Sequence, residues 1–508
     1  MRIHTREAMR GVGHGAIRGL ETAVAFTYTN LLEMDLGKLG AAVADWKTLV
    51  SALEKLGTDV DRGLVRKSNA AKWAGLNATV TREFVGKTAK EFRDLHREAK
   101  SVWSVLDDAN TELRGIQKRV RKLVADAAAG EPSLLVKDSG DGSVRVTETL
   151  CNVDGDSQRT EGLLTWYTES ITEMVTYAAE IDAAVTRALR ASHGQDPRDA
   201  GHAVYTSLDE DMIPRAVELA SLGDEASPEE RARLRRLWES LSPRARGELW
   251  AAHKDDLVAT GVLSPRIRQI SPDAGSGRHG VESPGLGERV TLQKAKMMAE
   301  GASLLGMDDA AKHMMHYLDN SGTPLNLPVD KMMKDDKRLL DDANGVILLA
   351  QDEWREKALA EYEKNGGRPV AITIETGNRG FRFSSEHENW VYAVGSVTTN
   401  ISGVVTVTPG DDGKPRVGLD AQLNVWDRYN WDADKFTNVA GITTVADDEL
   451  GRLHRTGLAQ EFDMRGSSSV MHTDITEAKG PSNPVPQPDV SRDVGGARKD
   501  PGRDDPYR

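Results

Sequence analysis

Lys72-Trp73-Ala74-Gly75-Leu76 decides how the first half of this chain folds. Before it, apolar residues fall at Leu39, Val43, Trp46, Val50, Leu53 and Val60. After it they fall at Phe92, Leu95, Ala99, Val102, Leu106, Ala109, Leu113, Ile116, Val120 and Leu123. The second set steps by three and four without a break, the spacing of a helix with one apolar seam. Two seams on either side of a glycine-containing corner predict an antiparallel helical hairpin in which each stripe buries the other. The alternative is an ordinary helix-loop-helix with no further meaning.

A tryptophan and a glycine one residue apart, between two amphipathic helices, resemble the WXG100 family, the small helical-hairpin proteins exported by type VII secretion systems. The likeness covers about residues 30–128. It implies that Trp73 packs at the hairpin end and that Gly75 permits the tight turn, both as structural and partner-recognition residues. It also implies a protein partner, either a WXG100-type small protein or a second copy of the chain, and an actinobacterial source. The stretch from Arg236-Leu237-Trp238 through Ser242-Pro243 to His253 is similar to middle segments of larger actinobacterial proteins that begin with such a hairpin. Tyr205-Thr206-Ser207-Leu208-Asp209 matches the Tyr-any-any-any-Asp export signal of type VII substrates; in a chain this rich in acids, one such match arises by chance.

Composition sets the outer limits. The chain has 508 residues, enough for about two to four domains. Charged residues make up 29% and aromatics 5%, which suits long solvent-exposed helices better than a compact enzyme barrel. A net charge of −13 opposes nucleic-acid binding, because phosphates repel it. The single cysteine, Cys151, excludes an intrachain disulfide and a multi-cysteine zinc site. The first twenty residues carry Arg2, Arg6, Arg10 and Arg18 without the apolar run of a signal peptide. No run of about eighteen apolar residues predicts a membrane span. Export, if it occurs, then uses a route that reads no cleaved signal; otherwise the protein is cytoplasmic.

The expected fold class is α+β. A lead segment (1–35) precedes a hairpin or three-helix bundle (36–195), whose third helix runs from about Glu161 to Leu189. A β-hairpin is inserted at Leu134–Val146, signalled by Asp-Gly between alternating apolar residues. Short helices follow (199–268), with Ser227-Pro228-Glu229-Glu230 and Ser242-Pro243 as helix starts. The basic run Arg231–Arg246 reads as a solvated helix face. A Gly-, Ser- and Pro-rich linker (269–289) leads to a second helical region (290–365). A small β-rich domain (366–472), barrel- or sandwich-like, has period-two runs at Val370–Glu375, Tyr392–Thr398, Val404–Thr408, Val417–Trp426 and Glu461–Met464. The tail (473–508) has a disordered composition.

Chemistry-bearing residues are densest in the β-rich domain. Asp427, Tyr429, His454 and Arg455 are the parts needed to bind and hydrolyse a phosphate ester: a carboxylate for a cation, an imidazole for the proton, a guanidinium for phosphate oxygens. Their order, and the strands before them, resemble colicin M-type bacteriocins, which cleave a lipid-linked cell-wall precursor. That family has an aspartate directly after the tyrosine, where this chain has Asn430, and its His-Arg pair lies closer. The alternative is a structural corner with Tyr429 and Trp431 in the core. His313-Met314-Met315-His316 places two imidazoles on one helix face, with Asp319 beyond; packing is the simpler explanation than zinc. No Walker loop, dinucleotide glycine motif, nucleophile elbow or zincin motif is present. The leading expectation is a type VII-associated effector-like or exported interaction protein, hairpin first and β-domain as the delivered module, acting through protein contacts and with no cofactor; whether it is also an enzyme stays open, and if it is, the reaction is phosphoester hydrolysis. The rivals are a metal-dependent phosphoester hydrolase, for which magnesium would be needed, and a cytoplasmic helical scaffold.

Overall fold

Residue Thr27 starts the first helix: its hydroxyl accepts from Asn30 N (3.2 Å) while Asn30 Oδ1 accepts from Thr27 N (3.0 Å). This reciprocal cap opens α1 (Tyr28–Glu33). Asp35 accepts from Lys38 N at 3.1 Å and opens α2 (Leu36–Asp59). A π-helical turn, Val60–Val65, and α3 (Arg66–Ala70) continue it toward the corner. The unbroken three-and-four spacing then becomes one 54-residue helix, α4 (Leu76–Ala129). The computed structural model describes residues 26–72, 76–149, 157–193, 205–265, 275–431, 436–439 and 443–477. Trp73 and Gly75 lie outside them, as do residues 1–25 of the lead segment.

The helices α2 and α4 run antiparallel, as their cross-links show. Arg114 donates to Leu36 O (2.6 Å), and Gln117 to Leu31 O (2.8 Å) and Met34 O (3.0 Å). Nearer the corner Arg93 pairs with Asp61 (2.8 Å). Nearest it, Arg82 donates to Ser68 O (3.2 Å) and Ala71 O (3.1 Å). Partners thus converge from both ends of the sequence toward residues 72–76. Between them Val50, Leu53 and Ala99 pack with Trp46 and Trp103.

A cis Glu131-Pro132 bond precedes β1 (Leu134–Asp138), which pairs antiparallel with β2 (Val144–Glu148). The turn between them uses Gly140 (φ 84°) and Gly142 (φ 98°), where a side chain would be strained. Helix α5 (Ser157–His193) returns along α4: Tyr177 Oη donates to Glu112 (2.9 Å), and the Ser192 and Ser101 hydroxyls bond at 2.8 Å. Helix α6 (Asp209–Ala220) follows. The chain divides into two compact units, residues 1–149 with 167–215, and residues 150–166 with 216–508.

Within the second unit, α7 (Pro228–Ser240) and α8 (Pro243–Ala259) are each started by the expected Ser-Pro cap. The basic run is not a solvated face. Arg231 is fully buried, and its guanidinium donates to the carbonyls of Ala226 (2.9 Å), Ala259 (2.9 Å), Asp224 (3.0 Å) and Gly223 (3.2 Å). It closes the carbonyls of Ala226, Asp224 and Ala259 and shares Gly223 O with Ala226 N (3.3 Å). Next come α9 (Leu286–Leu304), α10 (Asp308–Leu318), β3 (Leu325–Asn326), α11 (Val329–Asp335) and α12 (Lys337–Lys364). Then follow β4 (Val370–Glu375), β5 (Arg379–Arg382), α13 (Glu388–Ala393), β6 (Ser396–Pro409), β7 (Pro415–Tyr429), β8 (Phe436–Val439) and β9 (Thr443–Ala446). The unit ends with α14 (Asp447–Arg455), β10 (Phe462–Ser467) and β11 (Met471–Asp474).

In the second unit seven described strands form one open sheet in the order β3-β10-β7-β6-β4, with β5 on β6 and β11 on β7; β8 and β9 pair separately. Neither a barrel nor a sandwich results, because helices cover the apolar face. One core joins Met298, Met314 and Ile347 to Val405, Leu419, Leu423 and Phe462, across stretches 290–365 and 366–472. The opposite face is polar yet buried: Asn424 donates to Asn400 (2.9 Å) and Ser402 (2.8 Å), and Asp420 accepts from Lys254 (2.7 Å) and Trp250 (3.3 Å) of α8. Gly247 lets α8 approach, since a Cβ there would sit 2.6 Å from Val370 Cα. Two expectations are corrected. Tyr392 stands in α13, not a strand, because that alternation is broken by Gly395 (φ 63°). Thr473 belongs to β11, opposite Leu419, and Ile475 N donates to Val417 O (2.9 Å), so the ordered chain runs beyond 472; residues 478–508 lie outside the described residues.

Candidate functional site

The end of β7 sets Asp427 and Tyr429, two residues apart, on one face of the strand, with Arg428 between them on the other. Its pairing with β10 matches Tyr429 with Phe462, Arg428 with Asp463 and Asp427 with Met464. The Tyr429 ring enters the core, stacked on Phe462 (5.1 Å between ring centres) and edge-on to Trp431 (5.5 Å) and His313 (6.2 Å). Burial, with the Asp447 carboxylate adding to it, holds its phenol well above the ordinary tyrosine range, so it stays protonated. Asp427 is half-buried on the same strand.

His454 and Arg455 lie at the end of α14, and both serve the segment 275–282. His454 Nε2 donates to Gly277 O (2.9 Å), and its Nδ1 accepts from Glu461 N (3.1 Å). Arg455 donates to Ser276 O (3.1 Å) and pairs with Glu282 (3.1 Å) and Asp448 (3.2 Å). Backbone bonds complete the strap: Gly280 N to His454 O (3.1 Å) and Glu282 N to Arg455 O (2.9 Å). Part of the expected linker is therefore bonded into the second unit. Burial lowers the His454 pKa to about 4, leaving a neutral imidazole.

Composition reading missed a carboxylate beneath this strap. Glu461 is buried beside Arg428 (3.7 Å) and accepts from Ser276 N (2.9 Å) and from the Ser276 hydroxyl. Burial raises its pKa, against the lowering effect of Ser276 and Arg428. Gly275 (φ 56°) covers its Oε2 so closely that a Cβ would collide. Ser276, Glu461 and His454 do not form a nucleophile relay, since neither ring nitrogen of His454 points to the serine hydroxyl.

A small cavity lies beside Tyr429 and Trp431, closed by Met298, Met314 and Tyr392. The two helix histidines are each committed elsewhere: His313 Nδ1 bonds Ala393 O (2.8 Å), and His316 Nε2 bonds Thr323 O (2.8 Å). Among the described residues no group of three or more His, Cys, Asp or Glu is placed to hold a metal ion.

In the first unit, the segment holding Tyr205 and Asp209 is tied to α4 through Tyr205 and Leu208. Tyr205 N donates to the Ser101 hydroxyl (2.8 Å) and Leu208 N to Asp108 (2.8 Å), while Asp209 opens α6. The hairpin leaves large apolar side chains uncovered: Leu49 (44% exposed) and Leu56 (47%) two turns apart on α2, and Leu95 (47%) on α4. No described helix is long and apolar enough to cross a membrane. Compared with family models, curated proteins and solved structures, the chain matches none.

Proposed function

We propose that this chain is a type VII secretion-associated interaction protein, whose hairpin pairs with a helical partner for export and whose α+β unit is the delivered module. The observation that supports this is the shaft of the hairpin, where Leu49, Leu56 and Leu95 stand in water. Two helices that bury one seam and expose a second are built to accept further helices. A small hairpin protein, or a second copy of the chain, would cover these side chains. The rival reading, hydrolysis of lipid-linked phosphate esters, has against it that His454 and Arg455 already hold the strap.

The test is the culture medium of the native host with and without its secretion ATPase. The protein is expected outside the cell only when the ATPase is intact. Equal amounts in the medium of both strains, or none in either, would overturn the export reading. Leu56→Asp with Leu95→Asp is expected to lower the exported amount without unfolding the hairpin.

A further inference from the structure

The corner of the hairpin carries a charge opposite to that of the chain. From Arg62 to Lys90 there are seven Lys and Arg against one carboxylate, Glu83, in a protein of net charge −13. Arg82 is used internally, on Ser68 O and Ala71 O. The other six, Arg62, Arg66, Lys67, Lys72, Lys87 and Lys90, are exposed. Among the described residues none of the six enters an ion pair. Leu64 (55% exposed), Val80 (56%) and Phe84 (69%) stand among them, the last two one helical turn apart.

This corner ends a two-helix arm. Within the first unit the described part of α5 reaches only to the level of Ser101, through Ser192. Residues 76–100 of α4 extend beyond, about 37 Å at 1.5 Å per residue. At the tip that is several Debye lengths of about 8 Å at physiological ionic strength, and at Lys90, about 16 Å from the level of Ser101, it is still about two. Carboxylates of the three-helix part of this unit therefore do not screen the corner.

We infer that the corner docks on an anionic lipid bilayer. Exposed Phe and aliphatic side chains enter the boundary between headgroups and acyl chains, and long Lys and Arg stems reach back to lipid phosphates. A corner with six exposed cations against Glu83 between residues 62 and 90, flanked by Asp61 and Asp94 that Arg93 and Arg97 already pair, and with apolar side chains at its cations, complements such a surface in both respects. An acidic protein is the other class of partner; it supplies charge but offers the protruding end of two helices little area. The inference does not depend on the export reading, which uses the shaft leucines.

The experiment is flotation of the full chain with vesicles of phosphatidylcholine alone or mixed equally with phosphatidylglycerol. Binding is expected to the mixed vesicles only and to weaken as salt rises. Each cation near an anionic surface contributes roughly fivefold in affinity. Reversal of Arg66, Lys67, Lys87 and Lys90 to Glu is therefore expected to weaken binding by about a hundredfold or more. Val80→Ser with Phe84→Ser is expected to weaken it at unchanged charge, and Leu56→Asp with Leu95→Asp to leave it bound. These positions are exposed, and circular dichroism checks that helicity is kept. Failure to bind the mixed vesicles, or equal binding to both kinds, overturns the proposal. So does binding to poly-glutamate in solution that is lost in the same charge-reversal variant while vesicles bind no better than poly-glutamate.

Discussion

Acidification should loosen the second unit through His454, and the size follows from its burial. Its imidazole is held neutral, with a pKa of about 4 in the fold against roughly 6.5 in an unfolded chain. Between those values the unfolded chain binds the extra proton, so stability rises with pH and is lost as pH falls. At pH 5 the loss is about 2 kcal/mol relative to pH 7.5. Glu461 works in the opposite sense: its raised pKa restores stability on acidification. Comparison with a variant therefore isolates the imidazole. His454→Asn forfeits the bonds to Gly277 O and Glu461 N at every pH, about 1–3 kcal/mol, but carries no titrating ring. Hydrogen exchange of peptides spanning α14 and β10, at pH 7.5, 6 and 5, reads the opening free energy. Wild type is expected to approach the variant as pH falls. A constant gap across that range would refute a buried neutral His454 as the anchor of the strap.

Other substitutions probe the packing. Leu113→Ala removes a fully buried side chain from α4 and should cost about 3–5 kcal/mol, seen as earlier urea unfolding of the first unit. Arg231→Met strands the carbonyls of Ala226, Asp224 and Ala259 and should cost several kcal/mol, about 1–3 for each group left unpaired, whereas a solvated arginine would cost almost nothing. Gly247→Ala drives a Cβ to within 2.6 Å of Val370 Cα and should cost about 1–3 kcal/mol or more, measurable as a lower Tm of the second unit. His313, also fully buried with a pKa lowered to about 4 by burial, should add its own loss of stability between pH 6.5 and 4; His313→Asn removes that slope.

Periodicity made the main elements legible. The stepping of Phe92 to Leu123 became α4, the Asp-Gly signal became the β1–β2 turn, and Ser227 and Ser242 capped α7 and α8. Each of these depends on neighbours within a few residues. What stayed hidden depends on distant ones. Arg231 reads as a surface charge until the carbonyl of Ala259 is brought to it. Strand β3 is two residues long and gains its identity only from Met464 and Arg465 of β10. The strap 275–282 has a linker's composition, and its bonds come from α14 and from Glu461. For the candidate site, the sequence named His454 and Arg455 as chemical groups. Their partners, Gly277 and Ser276, give them a structural task that residue type alone does not reveal.

The antiparallel hairpin underlies the export proposal and the bilayer proposal alike. Spin labels at Asp61→Cys and Arg93→Cys, in a Cys151→Ser background, test it directly, since those two side chains pair at 2.8 Å. Packed helices put the labels about 10–20 Å apart, and each label should broaden the spectrum of the other. A helix running straight through residues 72–76 would separate them by about 48 Å and leave the spectra unbroadened, which would contradict the hairpin.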